Sequence, residues 1–421
     1  RHPQNQTTVA QQLTQPHFGL VAWLLEQVDD TRSSLWKDRS LELLALLAPR
    51  EEIYQGTLYD WSRLERYSVV WDPQDDDKDT NKPDKSKGKD DPQKKKEFVN
   101  TTTTINGIEV LLQTVAAFRK VQPTTSEQVE LLENATMVLD AALTYSSTNV
   151  QTFVQAQGIE LVMRCLKERV HAGGVTLKWL DWTLTQSTHK SNDDSSMALY
   201  QSACQHMIHQ AMALKYLMPL WMARNLPKLA PLTAGTTGDE KDHNNKKTKK
   251  SKHAKKQEKQ WQQGLEETTI RILYALTRFL PPTDPHDTRA RLVAKFAQDA
   301  AKCERLVELL LRYDQKARTA EYKYYRFKED EDDDNEEEET ALAALDAKLA
   351  GGGDLFHRLG ALAAFLCTSS QVCGQVILRK LQQQSSGLGL ITAALHEFDS
   401  VLDETSDQKP TIQEYLRELE G

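Results

Sequence analysis

Apolar residues recur at helical spacing along most of the chain, and no segment shows the strict apolar–polar alternation of a strand. Pro281-Pro282 ends one apolar run, and Gly173-Gly174 is expected to separate two others. The pattern predicts helices at 18–28, 34–48, 51–68, 105–120, 127–146, 158–170, 175–187, 194–224, 261–280, 288–298, 303–327, 341–350, 354–367, 371–383, 388–402 and 411–420. Helices joined by short turns indicate an all-α fold built of stacked pairs.

One short phrase occurs twice in the sequence. Residues 106–112 read Asn-Gly-Ile-Glu-Val-Leu-Leu, and residues 157–163 read Gln-Gly-Ile-Glu-Leu-Val-Met. In each copy a Gly leads into an apolar helical run, and a Ser/Asn turn at 147–150 precedes the second copy. One such helical repeat cannot bury its apolar face alone, so stacked neighbours are implied. The repeat predicts an armadillo/HEAT-like α-solenoid, a right-handed superhelix that usually serves as a binding surface.

Three charged segments interrupt the helical pattern. Residues 72–97 mix nine acidic with eight lysine residues, 241–259 hold nine lysines, and 328–339 hold ten acidic residues. Segments with so few apolar residues are expected to be disordered insertions, which solenoids tolerate. The predicted organisation is armadillo-like repeats at 1–71 and 98–232, disordered insertions at 72–97 and 233–260, helical repeats at 261–327, an acidic linker at 328–340 and a helical region at 341–421.

Composition narrows the function classes. The net charge of −8 does not favour general nucleic-acid affinity, because binding a polyanion needs a basic surface. Five cysteines without a CxxC pair indicate a reducing compartment rather than a disulfide framework. The densest apolar runs, 41–48 and 359–367, are too short to cross a bilayer.

Motifs of a known family lie between residue 105 and about residue 225. They occupy 105–113, 118–120, 123–125, 133–134, 157–163, 177–181 and 218–222. In these stretches the chain resembles the beta-catenin-like protein 1 family, armadillo-type nuclear proteins associated with the spliceosome. Family members carry further repeats on the N-terminal side, so this chain is expected to begin inside the array and to cover its C-terminal two-thirds. Trp179 and Trp182 depart from the family, which tends to have smaller or polar residues there.

The resemblance implies a non-enzymatic nuclear adaptor or scaffold. Family members associate with the nineteen complex, the Prp19/CDC5-type assembly of pre-mRNA splicing, and recognise basic, nuclear-localisation-like segments of partner proteins. The resemblance thus implies splicing factors as partners, with no membrane, no sequence-specific nucleic-acid binding, and no catalytic residues, cofactor or metal. The alternative is a nuclear-import adaptor of the karyopherin-alpha kind, which should show repeated Trp–Asn pairs. The oligomeric state stays open.

Three neighbouring residues form the candidate partner site. Trp179, Asp181 and Trp182 lie on one predicted helix. In related armadillo folds, aromatic rings on such a helix stack on the stems of a basic peptide, and acids take its ammonium groups. The alternative is that Trp179 and Trp182, at i and i+3, pack in the core, as large aromatic residues at helical spacing usually do.

The remaining candidates are short clusters of charged, aromatic or metal-ligating residues. The Lys-rich segment is a candidate localisation signal, an internal mimic of the basic partner segment that docks in the chain's own groove, or a solvated loop. RNA contact is a further option, although no aromatic residues interleave its lysines. Its signal residues are Lys246, Lys247, Lys249, Lys250, Lys252, Lys255 and Lys256. Tyr322, Tyr324, Tyr325 and Phe327 are expected to finish a helix against its neighbour, with a partner surface as the alternative. Cys204 and His206 stand two positions apart, so they face different sides of a helix and predict no metal site.

Overall fold

The computed structural model describes residues 20–29, 34–48, 60–71, 98–185, 194–230, 252–283, 285–329 and 337–421. The chain divides into two compact units. The first combines Arg1–Ala117 with Glu127–Ala156, and the second combines Phe118–Ser126 with Gln157–Gly421. Among the described residues, no helix has both the length and the apolar character needed to cross a membrane.

The first unit is built mainly of helices. They are α1 (Leu20–Asp29), α2 (Ser34–Leu47), α3 (Gly107–Ala116), α4 (Ser126–Tyr145) and α5 (Ser147–Gln155). Helix α1 packs against α2 and α3, and α3 packs against α5. Leu25, Leu111 and Leu139 are fully buried in this core. The predicted succession of helices joined by short turns is therefore present. Residues 147–150, which were expected to form a Ser/Asn turn, instead begin helix α5.

A pair of antiparallel strands also belongs to the first unit, which corrects the prediction of a helix at 51–68. Strand β1 (Leu64–Trp71) pairs with β2 (Phe98–Ile105), so that Leu64 lies opposite Ile105 and Trp71 opposite Phe98. Residues 60–63 form a turn before β1, and 51–59 lie outside the described residues. The β-branched residues of 69–70 and 101–105 favour extended backbone. The predicted insertion at 72–97 lies between the paired strands, outside the described residues.

The second unit is all-helical where it is described. Its helices are α6 (Gly158–Glu168), α7 (His171–Val175), α8 (Leu177–Thr185), α9 (Asp194–His209), α10 (Leu214–Trp221), α11 (Lys252–Phe279), α12 (Thr288–Ala297), α13 (Ala300–Glu329), α14 (Glu337–Lys348), α15 (Asp354–Ser369), α16 (Gln371–Gln383), α17 (Gly389–Val401) and α18 (Lys409–Glu420). Helix α15 packs against α11, α13, α16, α17 and α18. It is therefore buried almost all round, as its apolar run at 359–367 requires.

Several boundaries differ from the predicted ones. The predicted 194–224 helix is two helices, separated near Met212, which has a φ of 52°. The predicted disordered insertion at 233–260 is helical from Lys252 onward, and 231–251 lie outside the described residues. Helices α13 and α14 take in both ends of the predicted acidic linker at 328–340, leaving 330–336 outside the described residues. Pro281-Pro282 follows the end of α11, as predicted.

The internal repeat is confirmed at the level of burial. In α3 the buried positions are 107, 108, 110, 111, 112, 114 and 115. In α6 they are 158, 159, 161, 162, 163, 165 and 166, the same seven helix positions shifted by 51 residues, five of them within the repeated motif. The helix starts differ, because the Asn106 side chain accepts a hydrogen bond from the Glu109 amide, whereas Gln157 has a φ of 61° and no side-chain cap. The two copies of the motif thus form helices that bury equivalent faces.

Candidate functional site

The predicted aromatic contact at Trp179 lies in the core of the second unit. Helix α8 carries Trp179, and no part of its side chain is exposed to solvent. Trp182 is on the same helix, and its side chain lies outside the described part of the structure. Burial of Trp179 favours the core interpretation, because a ring without exposed surface cannot stack on a partner. A partner role for the set Trp179, Asp181 and Trp182 stays a prediction.

Asp181 belongs to a cluster of charged side chains within the second unit. Its carboxylate lies 3.9 Å from Arg271 on α11, and Arg271 lies 3.8 Å from Asp354 on α15. Asp354 also accepts hydrogen bonds from Arg358 at 3.0 and 3.1 Å. Burial raises the pKa of Asp181 to about 6, although Arg271 and Arg358 oppose the rise. The cluster joins α8, α11 and α15, which gives Asp181 a structural role.

Asp181 should make stability depend on pH. The folded protein holds the Asp181 proton more tightly than the unfolded chain, so stability falls as pH rises from about 4 to about 6 and is level above that. The pKa difference corresponds to about 3 kcal/mol. We expect Asp181→Asn to remove most of this slope, measured as urea unfolding midpoints across that pH range.

The control for this prediction is Asp346→Asn, which changes an exposed carboxylate on α14. It should keep the wild-type slope. An Asp181→Asn protein whose stability still fell by the full amount would show that other groups carry the pH dependence.

The metal and localisation candidates are only partly described by the structure. Cys204 is fully buried, and His206 lies 2.7 Å from Glu160. Within the described residues, no cluster of three His, Cys, Asp or Glu could hold a metal ion.

Of the localisation candidates, Lys255 and Lys256 are exposed on α11 and Lys252 begins that helix, whereas Lys246, Lys247, Lys249 and Lys250 lie outside the described residues.

An acidic face with exposed apolar groups lies on the first unit. The described residues of this unit carry eleven acidic side chains against four basic ones. We define the acidic face as Asp38 of α2 with Glu127 and Glu130 of α4, and Trp36 precedes Asp38 by two positions on α2. Burial raises the pKa of the Asp38 carboxyl, whereas the positive charges of Lys37 and Arg39 lower it. The negative charge of Glu127 raises it further, so the acids of the two helices lie close together.

Large apolar side chains are exposed on the same two helices. Trp36 is 57% exposed, and Leu35, Leu43 and Leu46 of α2 are exposed with it. Met137 is exposed on α4, seven residues after Glu130 and therefore on the same side of that helix. An exposed aromatic ring suits the aliphatic stem of Lys or Arg, and carboxylates suit its charged head. The residue types expected at Trp179 and Asp181 are thus also present on the surface of α2 and α4.

A groove of opposite charge lies on the second unit. We define the basic groove as Lys259 of α11 with Arg305, Arg312, Lys316 and Lys323 of α13. It consists of a cleft of about 420 Å³ and a second of about 400 Å³, which share Arg312 and Lys316. Leu220, Ala223 and Leu226 form an apolar side of the first cleft, and Glu266 is the one acidic residue that the described lining contains.

The sequence signals for both surfaces were weak. The apolar residues of α2 do not define one clear face, so periodicity could not tell the exposed Trp36 from the fully buried Trp179. The basic residues of the groove are spread over 64 positions and are mixed with acids in the sequence. Only tertiary contacts between α11 and α13, such as those of Glu266 with Arg305 and Arg312, gather them on one side.

Comparison with known proteins places the chain in a family. The sequence profile of the family described as "Catenin-beta-like, Arm-motif containing nuclear" matches residues 89–396. Beta-catenin-like protein 1 of Mus musculus is 30% identical over 229 residues, which cover 54% of this chain and 32% of that protein. The Homo sapiens protein of the same name is 29% identical over the same length. The matched region thus covers about a third of the length of each of these relatives. The chain belongs to the catenin-beta-like family of Arm-motif containing nuclear proteins.

Proposed function

We propose that this protein is a non-enzymatic nuclear adaptor that helps assemble pre-mRNA splicing complexes of the nineteen-complex type. In this proposal it holds basic, nuclear-localisation-like segments of partner proteins. The observation that carries the proposal is the acidic face of the first unit, where carboxylates of α2 and α4 lie close together, with an exposed Trp on α2. Membership of a nuclear Arm-motif family supports it, because such repeats are used as protein-binding surfaces.

The acidic face would act in two steps. The excess of carboxylates on the first unit attracts a basic segment over a distance of about 8–10 Å at physiological salt. The Trp36 ring, held on α2, then stacks on one Lys or Arg side chain of the segment, while Asp38, Glu127 and Glu130 pair with other basic residues of it. Leu43 and Leu46, which are exposed on the same helix, would receive apolar residues that flank the basic ones.

Removing these groups should weaken the binding of a basic peptide. We expect Trp36→Ala to lower the affinity for a fluorescein-labelled Lys/Arg-rich peptide about tenfold, because the cation–π contact is lost. We expect the double variant Glu127→Gln with Glu130→Gln to lower it about fivefold and to flatten its salt dependence. Fluorescence anisotropy with the whole chain measures both.

The matched control changes two acids elsewhere. Glu414→Gln with Glu418→Gln removes the same charge from exposed positions of α18. The peptide affinity of this variant should stay within about twofold of the wild type, because exposed charges act only on groups close to them. Equal losses in the two double variants would refute the acidic face as the site.

Affinity purification from nuclear extract with nuclease present identifies the partners. Recovery of splicing subunits supports the adaptor role, and recovery of importin-beta with diverse basic cargo points to nuclear import.

The Lys-rich segment completes the proposal as the protein's own nuclear-localisation signal. Lys246, Lys247, Lys249 and Lys250 would be read with Lys252, Lys255 and Lys256. The exposure of Lys255 and Lys256 on the first turns of α11 supports this, since an import receptor must reach the signal. The description of the family as nuclear agrees with such a signal.

A further inference from the structure

We infer that the basic groove along α13 is a binding site for single-stranded nucleic acid, recognised through its phosphates and by stacking of a base on Tyr322. This goes beyond the proposed adaptor function, because the acidic face and the basic groove attract ligands of opposite charge. The inference rests on three features: an excess of fixed cations, a carboxylate that is already neutralised, and exposed tyrosines beside the cations.

The cations of the groove exceed its acids by five to one among the described lining residues. Within the described part of the chain, neither Lys259 nor Lys316 nor Lys323 forms an ion pair with a carboxylate. Burial lowers the pKa of Lys316, and the charges of Arg312 and Lys259 lower it further, against the opposing effect of Glu267 and Glu266. These cations repel one another in the free protein, and a polyanion would relieve that repulsion.

The one acid in the groove does not oppose a phosphate. The two oxygens of Glu266 accept hydrogen bonds from Arg305 at 2.8 Å, from the Tyr313 hydroxyl at 3.0 Å, and from Arg312. Glu266 is only 16% exposed, so its negative charge is balanced by the two arginines rather than exposed to solvent. Its role is to hold the two guanidinium groups in place at the wall of the cleft.

Helix α13 separates its charges onto different faces. Arg312, Lys316 and Lys323 follow at spacings of four and seven, so they share one face that is about 27 Å long when Arg305 is included. Asp314 and Glu321 lie on another face. Asp314 pairs with Arg318 at 2.8 Å, and Glu321 pairs with Lys348 at 3.6 Å. Between Arg312 and Lys323 the groove face therefore carries no acid, whereas Glu308 lies on it between Arg305 and Arg312, is 51% exposed and pairs with Arg305 at 3.5 Å.

An exposed tyrosine lies beside this row of cations. Tyr322 is 67% exposed and Tyr325 is 43% exposed, which corrects for these two the expectation that they pack against a neighbouring helix. Tyr324 is half-buried, and the side chain of Phe327 lies outside the described part of the structure. Tyr322 follows Gln315 and Thr319, which line the second cleft, at spacings of seven and three, so it borders the groove. Cations along a groove with aromatic rings between them are the arrangement that binds single strands, because every base offers a face for stacking. An acidic peptide needs the cations but not the exposed ring.

The test compares two labelled probes on the whole chain. They are an oligouridylate of about 12 nucleotides, within the usual size of a single-strand site, and an oligoglutamate peptide of similar length. We expect the oligouridylate to bind more tightly. Lys316→Gln with Lys323→Gln should lower its affinity about tenfold and reduce the slope of log affinity against log salt by about 1.4. Tyr322→Ala should lower the affinity about tenfold, while Tyr322→Phe stays close to the wild type.

The control double variant is Arg379→Gln with Arg417→Gln. It removes two charges from exposed positions on α16 and α18, outside the groove, and its affinity should stay within about twofold of the wild type because phosphate contacts act locally. An equal loss in both double variants would overturn the inference, since net charge alone would then explain binding. An unchanged affinity in the groove variants would assign binding to the Lys-rich segment. Tighter binding of oligoglutamate with no effect of Tyr322→Ala would make the occupant an acidic protein segment.

Lys316 is half-buried against the Tyr313 ring, so its substitution could disturb the fold. Lys323→Gln alone, at an exposed position, keeps the test decisive. It should reduce the salt slope by about 0.7 while thermal unfolding is unchanged. No binding of either probe to the wild-type chain would also overturn the inference.

Discussion

Gly174→Ala is expected to destabilise the second unit by about 3 kcal/mol, because the new methyl group would overlap the ring of Trp261. The ring cannot move aside cheaply. It stacks on His171 with 4.8 Å between ring centroids, and its indole N–H donates to the Pro227 carbonyl at 2.9 Å. Urea or thermal unfolding followed by circular dichroism, reported as a change in midpoint, measures the effect.

Gly264→Ala is the matched control on the helix that carries Trp261. Nothing lies within 4 Å of the position of its new methyl group, so the higher helix propensity of Ala should stabilise the protein by up to about 1 kcal/mol. Opposite signs at the two glycines are the expected result. Similar effects at both would mean that close packing at Trp261 is not what requires Gly174.

A double-mutant cycle isolates the contact between Gly174 and Trp261. In a Trp261→Ala background the ring is absent, so Gly174→Ala should cost less than about 1 kcal/mol. Failure of the two substitutions to couple would place the cost elsewhere, for instance in the backbone of α7. The cycle also bears on the basic groove, since Trp261 lies two residues after Lys259 and anchors that part of α11.

The second large effect is expected in the first unit, at Asn149. Its side chain is fully buried, accepts a hydrogen bond from the Trp61 amide at 2.9 Å and donates one to the Ala142 carbonyl at 3.0 Å. The Trp61 carbonyl in turn accepts from the Gly107 amide at 2.8 Å. The network therefore joins α4 and α5 to the turn before β1 and to the start of α3.

Asn149→Leu keeps the volume but leaves two buried backbone groups without partners. We expect a loss of about 3 kcal/mol, since each unsatisfied group costs about 1–3 kcal/mol. Asn134→Leu, at a half-buried position of α4, should change the unfolding midpoint little. If Asn149→Leu were as stable as the control, water would have to satisfy the Trp61 amide and the Ala142 carbonyl, which would contradict the closed network.

Local sequence predicted most helices, because helical periodicity and proline breaks depend on neighbouring residues alone. It failed where distant residues decide. The Gly173-Gly174 pair was predicted to break a helix, but both residues lie within α7, and α6 ends earlier at Arg169, which has a φ of 57°. Gly174 is required by Trp261, which lies 87 positions away, and Gly173 by the backbone of Cys165. No local pattern contains that information.

The strands show the same limit in another form. Residues 51–68 carry apolar residues at spacings that suit a helix, yet Leu64–Trp71 pairs with Phe98–Ile105 across a charged segment. A strand is stabilised by the partner with which it hydrogen-bonds, and that partner is not visible in a local window. Thr101 to Thr104 favoured extended backbone by β-branching, but the four hydroxyl-bearing residues gave no apolar face to recognise.

By itself, the sequence determined that the protein is predominantly helical, that one helical motif occurs twice, and which family the chain resembles. These properties follow from local periodicity and from matched residues. Only the tertiary structure decided which tryptophan is buried and which is exposed, why Gly174 must be a glycine, and how cations from α11 and α13 gather beside Tyr322. The physical reason is that burial and electrostatic potential depend on residues far apart in the chain, which only packing brings together.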